Sequence, residues 1–107
     1  MKSIYRGTTN LLKFEYPFKY QYVTHFTITF SQDGQVIFKV PMGDERIYTI
    51  EDKLITVELF EKDTNKFKHI FPLDAQLKMK NLDGEIWAGD IKHYQVHRIL
   101  DTDSFEE

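Results

Sequence analysis

Along most of this chain apolar and polar side chains alternate with a period of two, the spacing that places one set on each face of a β-strand. The cleanest run is "HFTITF", where Phe26, Ile28 and Phe30 fall on one face and Thr27 and Thr29 on the other. Asp33-Gly34 follows, and predicts a hairpin, because a two-residue turn of the right twist needs positive φ at both central positions. "VIFKV" runs back as the next strand, and Pro41 stops it for want of a ladder N–H. "RIYTI" and "KLITVEL" predict a second pair turning at Glu51-Asp52-Lys53, with Leu54 or Ile55, Val57 and Leu59 on a buried face. In "DAQLKMKN", Ala75, Leu77 and Met79 point inward and Gln76, Lys78 and Lys80 outward, and "LDGE" repeats the Asp-Gly turn signal. The last strand is expected from about Ile86 to Leu100, with a bulge or bend at Gly89. There Trp87, Ile91, Tyr94 or His93, Val96 and Ile99 compete for the inner face.

Two segments break the period. In "FEKDTNKFKHIF", the residues Phe60, Thr64, Phe67 and Phe71 recur at helical spacing. That predicts a single helical turn, with Asp63 or Thr64 near its start, inside a crossover between sheets. At the N-terminus "SIY" and "LLKFEY" are strand pieces separated at Arg6-Gly7, a break that lets the first strand pass from one sheet to the other. Seven to eight strands, with turn signals about every 8–12 residues, make an all-β fold, a sandwich or small barrel. The expected core is Phe26, Ile28, Phe30, Val57, Leu59, Leu77, Met79 and Trp87.

The length of 107 residues allows one domain, placed at residues 1–100, with 101–107 as an acidic tail carrying Asp101, Asp103, Glu106 and Glu107. Aromatic residues make up 15% of the chain, which favours pleated, half-buried surfaces and so supports the strand reading. With no cysteine, disulfides, thiolate nucleophiles and thiolate metal sites are all excluded, and synthesis in a reducing cytoplasm is expected. No apolar run approaches the ~20 residues of a membrane span, and no secretion signal is expected. The net charge of -3 is spread along the chain without a basic stripe, so nucleic acid is not an expected partner.

Candidate chemistry is sparse. His93 and His97 would lie about 13 Å apart along a strand, too far to share a metal. Asp44/Glu45, Glu51/Asp52 and Asp83/Glu85 sit at turns and read as solvated residues rather than a carboxylate pair flanking a cleft. Ser3, Ser31 and Ser104 occupy no nucleophile elbow. "GTT" is too short for a phosphate loop. No catalytic residue, metal site or cofactor is assigned, and an enzyme is not expected. The alternating aromatics of "YPFKYQY", namely Tyr16, Phe18, Tyr20 and Tyr22, have three open uses: covering one end of the fold, forming an interface, or stacking on sugar rings. Trp87 reads as a core anchor.

"IYRGTT", the apolar strand ending in "YPF", "FTITFSQDGQVIFK", "KLITVELFEKDTNKF" and "AQLKMKNLDGEIWAGDIKHYQVHRIL" together resemble a family of small proteins from phages and prophages of Gram-positive bacteria. That family is similar to the immunoglobulin-like N-terminal domain of phage baseplate upper proteins. The resemblance runs from about Ser3 to Leu100. It departs at Asn10, where proline is common, at "FEKDTNKF", which replaces a glutamine-glutamate pair, and in the polar linker from Pro41 to Arg46. It implies an immunoglobulin-like β-sandwich that is a structural part of a virion, made in the host bacterial cytoplasm. Its partners would be other virion proteins or copies of itself, with no membrane and no cofactor. The alternative is a carbohydrate-binding module of a host-recognition apparatus, marked by two or three coplanar exposed aromatics in a groove. Expected contact residues are Tyr5, Arg6, Tyr16, Phe18, Tyr20, Tyr22 and Phe105. "SIYRGTT" and "RILDTDSFEE" would form the contact apparatus, with strand edges free to accept another strand.

Overall fold

A computed structural model describes residues 2–100. The expected tail, Phe105 included, lies outside the described residues. Two sheets face each other. The larger has the order β1 (Lys2–Tyr5), β9 (Lys92–His97), β7 (Leu73–Asn81), β3 (Val23–Gln32) and β4 (Gln35–Pro41), with β8 (Ile86–Ala88) also paired along β7. The smaller has the order β2 (Asn10–Glu15), β6 (Leu54–Leu59) and β5 (Ile47–Glu51). Every pairing is antiparallel except β1 with β9, which is parallel. Lettered as in an immunoglobulin domain, β2, β6 and β5 are strands B, E and D, and β9, β7, β3 and β4 are G, F, C and C′. The chain is an immunoglobulin-like β-sandwich. It lacks the inter-sheet disulfide and strand-C tryptophan of antibody domains, since it has no cysteine and strand C carries Phe26, Ile28 and Phe30 instead.

Hairpin chemistry follows the expected turns. Asp33 and Gly34 both take positive φ, 50° and 74°, between β3 and β4. Lys53 closes the β5–β6 turn at φ 67°, and Gly84 the β7–β8 turn at φ 81°. The alternation then sorts the side chains. Phe26, Ile28 and Phe30 from β3, Leu77 and Met79 from β7, and Val57 and Leu59 from β6 are all buried in one core. Phe30 sits among other rings, stacked on Phe38 at 4.9 Å and Phe67 at 6.4 Å and meeting Phe14 edge-on at 6.4 Å. Phe67 comes from the crossover, so the segment with helical spacing also feeds the core.

Trp87 differs from expectation. It is half-buried, because β8 is only three residues long at the margin of the sheet, and its indole packs edge-to-face on Phe18 at 6.1 Å. The long last strand is in fact two segments, β8 and β9, giving nine strand segments among the described residues. Both pair with the same edge of β7, β8 against Lys78–Lys80 and β9 against Leu73–Ala75. At the break, Gly89 N–H donates to the Leu77 carbonyl at 2.9 Å, and the Gly89 carbonyl accepts from Gln76 Nε2 at 2.8 Å. A Cβ on Gly89 would come within 3.1 Å of the Trp87 ring, so glycine here makes room for the indole. Tyr94 and Val96 take the inner positions of β9, while His93 and Ile91 are exposed.

The helical turn α1 spans Glu61–Thr64. It begins at Glu61, so Asp63 and Thr64 close it rather than open it. The Asp63 carboxylate reaches back to accept the Phe60 N–H at 2.9 Å, satisfying one of the orphan donors at the start of the turn.

Candidate contact surfaces

The "RGTT" segment carries the chain from the larger sheet to the smaller one, as the broken pattern implies. Arg6 N–H donates to the His97 carbonyl at 2.8 Å, extending the β1–β9 ladder by one bond. Gly7 then turns at φ 75°, and a Cβ there would sit 3.2 Å from Asn65 Oδ1. Thr8 and Thr64 bond reciprocally: Thr8 N–H donates to Thr64 Oγ1 at 3.1 Å, and that hydroxyl donates to the Thr8 carbonyl at 2.8 Å. Arg6 Nη2 donates to the Asn65 carbonyl at 3.1 Å, while its buried Nε has no hydrogen-bond partner. The crossover is therefore fastened to the end of α1 and is not a free arm. Tyr5, by contrast, is 48% exposed and stacks on His97 at 4.9 Å.

The aromatic stretch separates into different environments. Tyr16 was expected at a contact surface but belongs to the core: it is 4% exposed, and its hydroxyl donates to the Glu51 carbonyl at 2.6 Å. It continues the inward series Leu12, Phe14, Tyr16 beyond the end of β2, a signal already present in "LLKFEY". Burial pushes the Tyr16 hydroxyl above its ordinary pKa. Phe18 packs on Trp87, and Tyr20 is half-buried in a 3-10 turn whose first N–H is held by Asp52 Oδ1 at 2.9 Å. Tyr22 alone of the four is well exposed, at 47%.

Two sides of the sandwich end in strand edges. On one, Arg46 ties β5 to α1 and β4. Its guanidinium binds both Asp44 oxygens at 2.9 Å, reaches Asp63 Oδ1 at 3.2 Å and lies 4.8 Å over the Phe38 ring. Asp44 was expected to be a solvated turn residue; its side chain is only 16% exposed because of this pairing. Glu45, its neighbour, is solvated and pairs with Lys62 at 3.2 Å.

The Arg46 side-chain hydrogen bonds hold the Asp44 carboxyl below its usual value of 3.8. A carboxylate whose folded pKa is depressed adds stability that is complete above the unfolded pKa and is lost as pH falls through the folded one. Asp44→Asn is therefore expected to be less stable than the native chain at pH 7, with the gap closing below about pH 4. Urea midpoints measured across that range test it, and a gap that does not change with pH would count against it.

On the other side, β1 and β2 border a cleft of about 410 Å³ lined by Lys2, Leu11, Lys13, Lys92, His93 and Tyr94. Lys2 Nζ crosses from β1 to donate to the Leu11 carbonyl at 2.7 Å. Lys92 Nζ crosses from β9 to the Lys13 carbonyl and lies 5.2 Å over the Phe14 ring. None of the three lysines is ion-paired among the described residues. Burial pushes the Tyr94 hydroxyl to about 12. Sequence reasoning missed this cleft, because its residues come together only through the parallel β1–β9 pairing and the approach of β2 from the other sheet.

The two histidines of β9 have separate partners: His93 Nδ1 lies 2.6 Å from Asp74 Oδ1, and His97 Nε2 lies 3.2 Å from Ser3 Oγ. Among the described residues there is no group of three or more His, Cys, Asp or Glu that could hold a metal ion, and no helix long and apolar enough to cross a membrane.

The structure is similar to the V domain of amphioxus IgVJ-C2, with a TM-score of 0.42 and 11% identity over 87% of this chain and 96% of that one. No protein-family model and no curated protein matches the sequence.

Proposed function

We propose that this chain is a structural component of a bacteriophage virion that works through protein–protein contacts rather than catalysis. The setting comes from the resemblance carried by "IYRGTT" and the strands that follow it. The observation that most favours contact over sugar binding is the fate of the aromatic stretch. A sugar platform needs two or three coplanar exposed rings, whereas Tyr16 lies in the core, Phe18 packs on Trp87 and Tyr20 is half-buried.

Large apolar side chains are instead exposed at strand margins: Val36 on β4 at 57%, Tyr48 on β5 at 58%, and Tyr5 on β1 at 48%. β4 and β5 each end a sheet and offer edges for strand addition, apart from the Lys39 carbonyl of β4, which accepts from Arg46 Nη2 at 3.4 Å. Sandwich edges with apolar neighbours suit a part that must fold firmly and seat against other subunits.

Particles purified from the organism that encodes the chain provide the test. The protein is expected in them at a fixed copy number relative to the major structural proteins, with cross-links from β4 or β5 to a neighbour. Its absence from particles, while present in the lysate, would end this reading.

A further inference from the structure

The cleft between β1 and β2 gathers hydrogen-bond donors of three kinds. The first are backbone amides. Residues of a strand in an antiparallel pair alternate between those bonded to the partner and those that point both backbone groups away. Glu58 N–H bonds to the Arg46 carbonyl just before β5, so its neighbours Val57 and Leu59 are the residues of β6 that bond to β2, opposite Leu12 and Asn10. Leu11 and Lys13 therefore point outward. Their carbonyls accept Lys2 Nζ and Lys92 Nζ, and their N–H groups face the same open side.

The second are ammonium groups. Each has three donors, so Lys2 and Lys92 have donors to spare beyond the carbonyls they reach, and Lys13 adds a third charge. These charges are uncompensated. Glu15 at the end of β2 and Glu58 opposite Leu11 pair with none of them among the described residues, and Asp74 is taken by His93 at the rim.

The third is a phenol. Tyr94 lines the cleft and is only 4% exposed, and its hydroxyl makes no hydrogen bond among the described residues. Arg6 Nε is the one fully buried side-chain atom there without a partner, so the Tyr94 hydroxyl is not sealed off, and the cleft lies against it. Burial, which pushes it to about 12, keeps it protonated and a donor.

We propose that this cleft binds a small molecule carrying two linked phosphate groups. Amides, ammonium groups and a phenol without a partner select an anion with many acceptor oxygens. The cations are lysines with no arginine among them, and lysine binds phosphate as a point charge, whereas planar carboxylates are matched by the guanidinium fork. One phosphate monoester carries about −1.5 to −2 charges at pH 7, so two are needed to balance three lysines. The cleft's volume of about 410 Å³ falls in the range of small-ligand sites, and the exposed Leu11 side chain gives the rest of such a molecule an apolar wall. β1 and β2 end their sheets opposite β4 and β5, so this site is independent of the contact reading.

Pyrophosphate titrated into the full chain at about 20 mM salt, followed by calorimetry and by backbone amide shifts, tests this. Saturable binding is expected, with the largest shifts at Leu11 and Lys13, weaker by about tenfold or more at about 500 mM salt. Inorganic phosphate should bind about tenfold more weakly than pyrophosphate. Tyr94→Phe should weaken binding by about tenfold, as expected for one hydrogen bond to a charged group. It should leave the melting temperature unchanged or higher, because the lost hydroxyl has no partner in the protein. Lys13→Met should weaken binding by a similar factor, with a thermal melt showing that the fold is retained. Lys78→Met with Lys80→Met, on the exposed face of β7, should not.

No saturation by pyrophosphate, equal weakening by the Lys78 and Lys80 pair, or native binding by Tyr94→Phe would each overturn the proposal. So would binding to vesicles containing phosphatidic acid without binding to pyrophosphate, since the phosphate would then be recognised on a membrane surface.

Discussion

Ile28→Asp is expected to destabilise the domain by about 3 kcal/mol or more, because it places a carboxylate where nothing can solvate or pair it. Ile28 is fully buried in the middle of β3, with Val40 of β4 on one side and Leu77 of β7 on the other. Domains of this size are stable by roughly 5–15 kcal/mol, so the loss is a large share of the whole. Ile28→Val keeps the shape and should cost only about 0.5–1.5 kcal/mol. Urea denaturation of the two variants separates charge burial from loss of packing. An Asp variant as stable as the Val variant would mean that β3 is not the centre of the core.

The second large effect is expected at Arg46. Asp63 is 1% exposed, and its carboxylate is balanced by Arg46 and by the Phe60 N–H. Arg46→Met keeps much of the side-chain volume but strands that buried charge, and breaking a buried pair in this way costs about 3–5 kcal/mol. Removing Asp63 alone should do less harm, because Arg46 retains both oxygens of Asp44. Adding Asp63→Asn to Arg46→Met should recover part of the loss, since a neutral amide oxygen can still accept the Phe60 N–H. Equal stability of the single and double variants would show that the charge of Asp63 is not what Arg46 is there to balance.

The strands whose pattern depends on one face being apolar were readable from the chain. β3 and β7 alternate without interruption, and each was placed with the correct inner residues. The Asp-Gly turns were readable because their chemistry is local. The crossing of the first strand between sheets was readable because only a break at Gly7 makes sense of two short apolar pieces. Where the reading fell short, the missing information was long-range. Whether residues 86–97 form one strand or two depends on the Gly89 bonds to β7 and on the space taken by the Trp87 indole. Tyr16 was legible as a core residue from the Leu12–Phe14 spacing, but the adjacent Pro17 and the run of aromatics suggested a surface. Asp44 and Asp63 gained their roles from Arg46, and nothing in their local sequence marks that partner. The lysine cleft joins residues as far apart as Lys2 and Lys92, which topology alone brings together.

The parallel pairing of β1 with β9 also bears on how the chain reaches this structure. Lys2 lies opposite Tyr94, so β1 must wait for a strand about ninety residues later before it has a place to dock. Contacts of such long sequence separation slow folding, because the entropy of closing the loop is lost before the contacts repay it. The hairpins β3–β4 and β5–β6 can form while the chain is still being made, but the larger sheet stays open on its β9 side until residues 92–97 have been made. During that interval the Leu73–Ala75 stretch of the outer edge of β7 is unpaired, and a neighbouring nascent chain can compete with β9 for it.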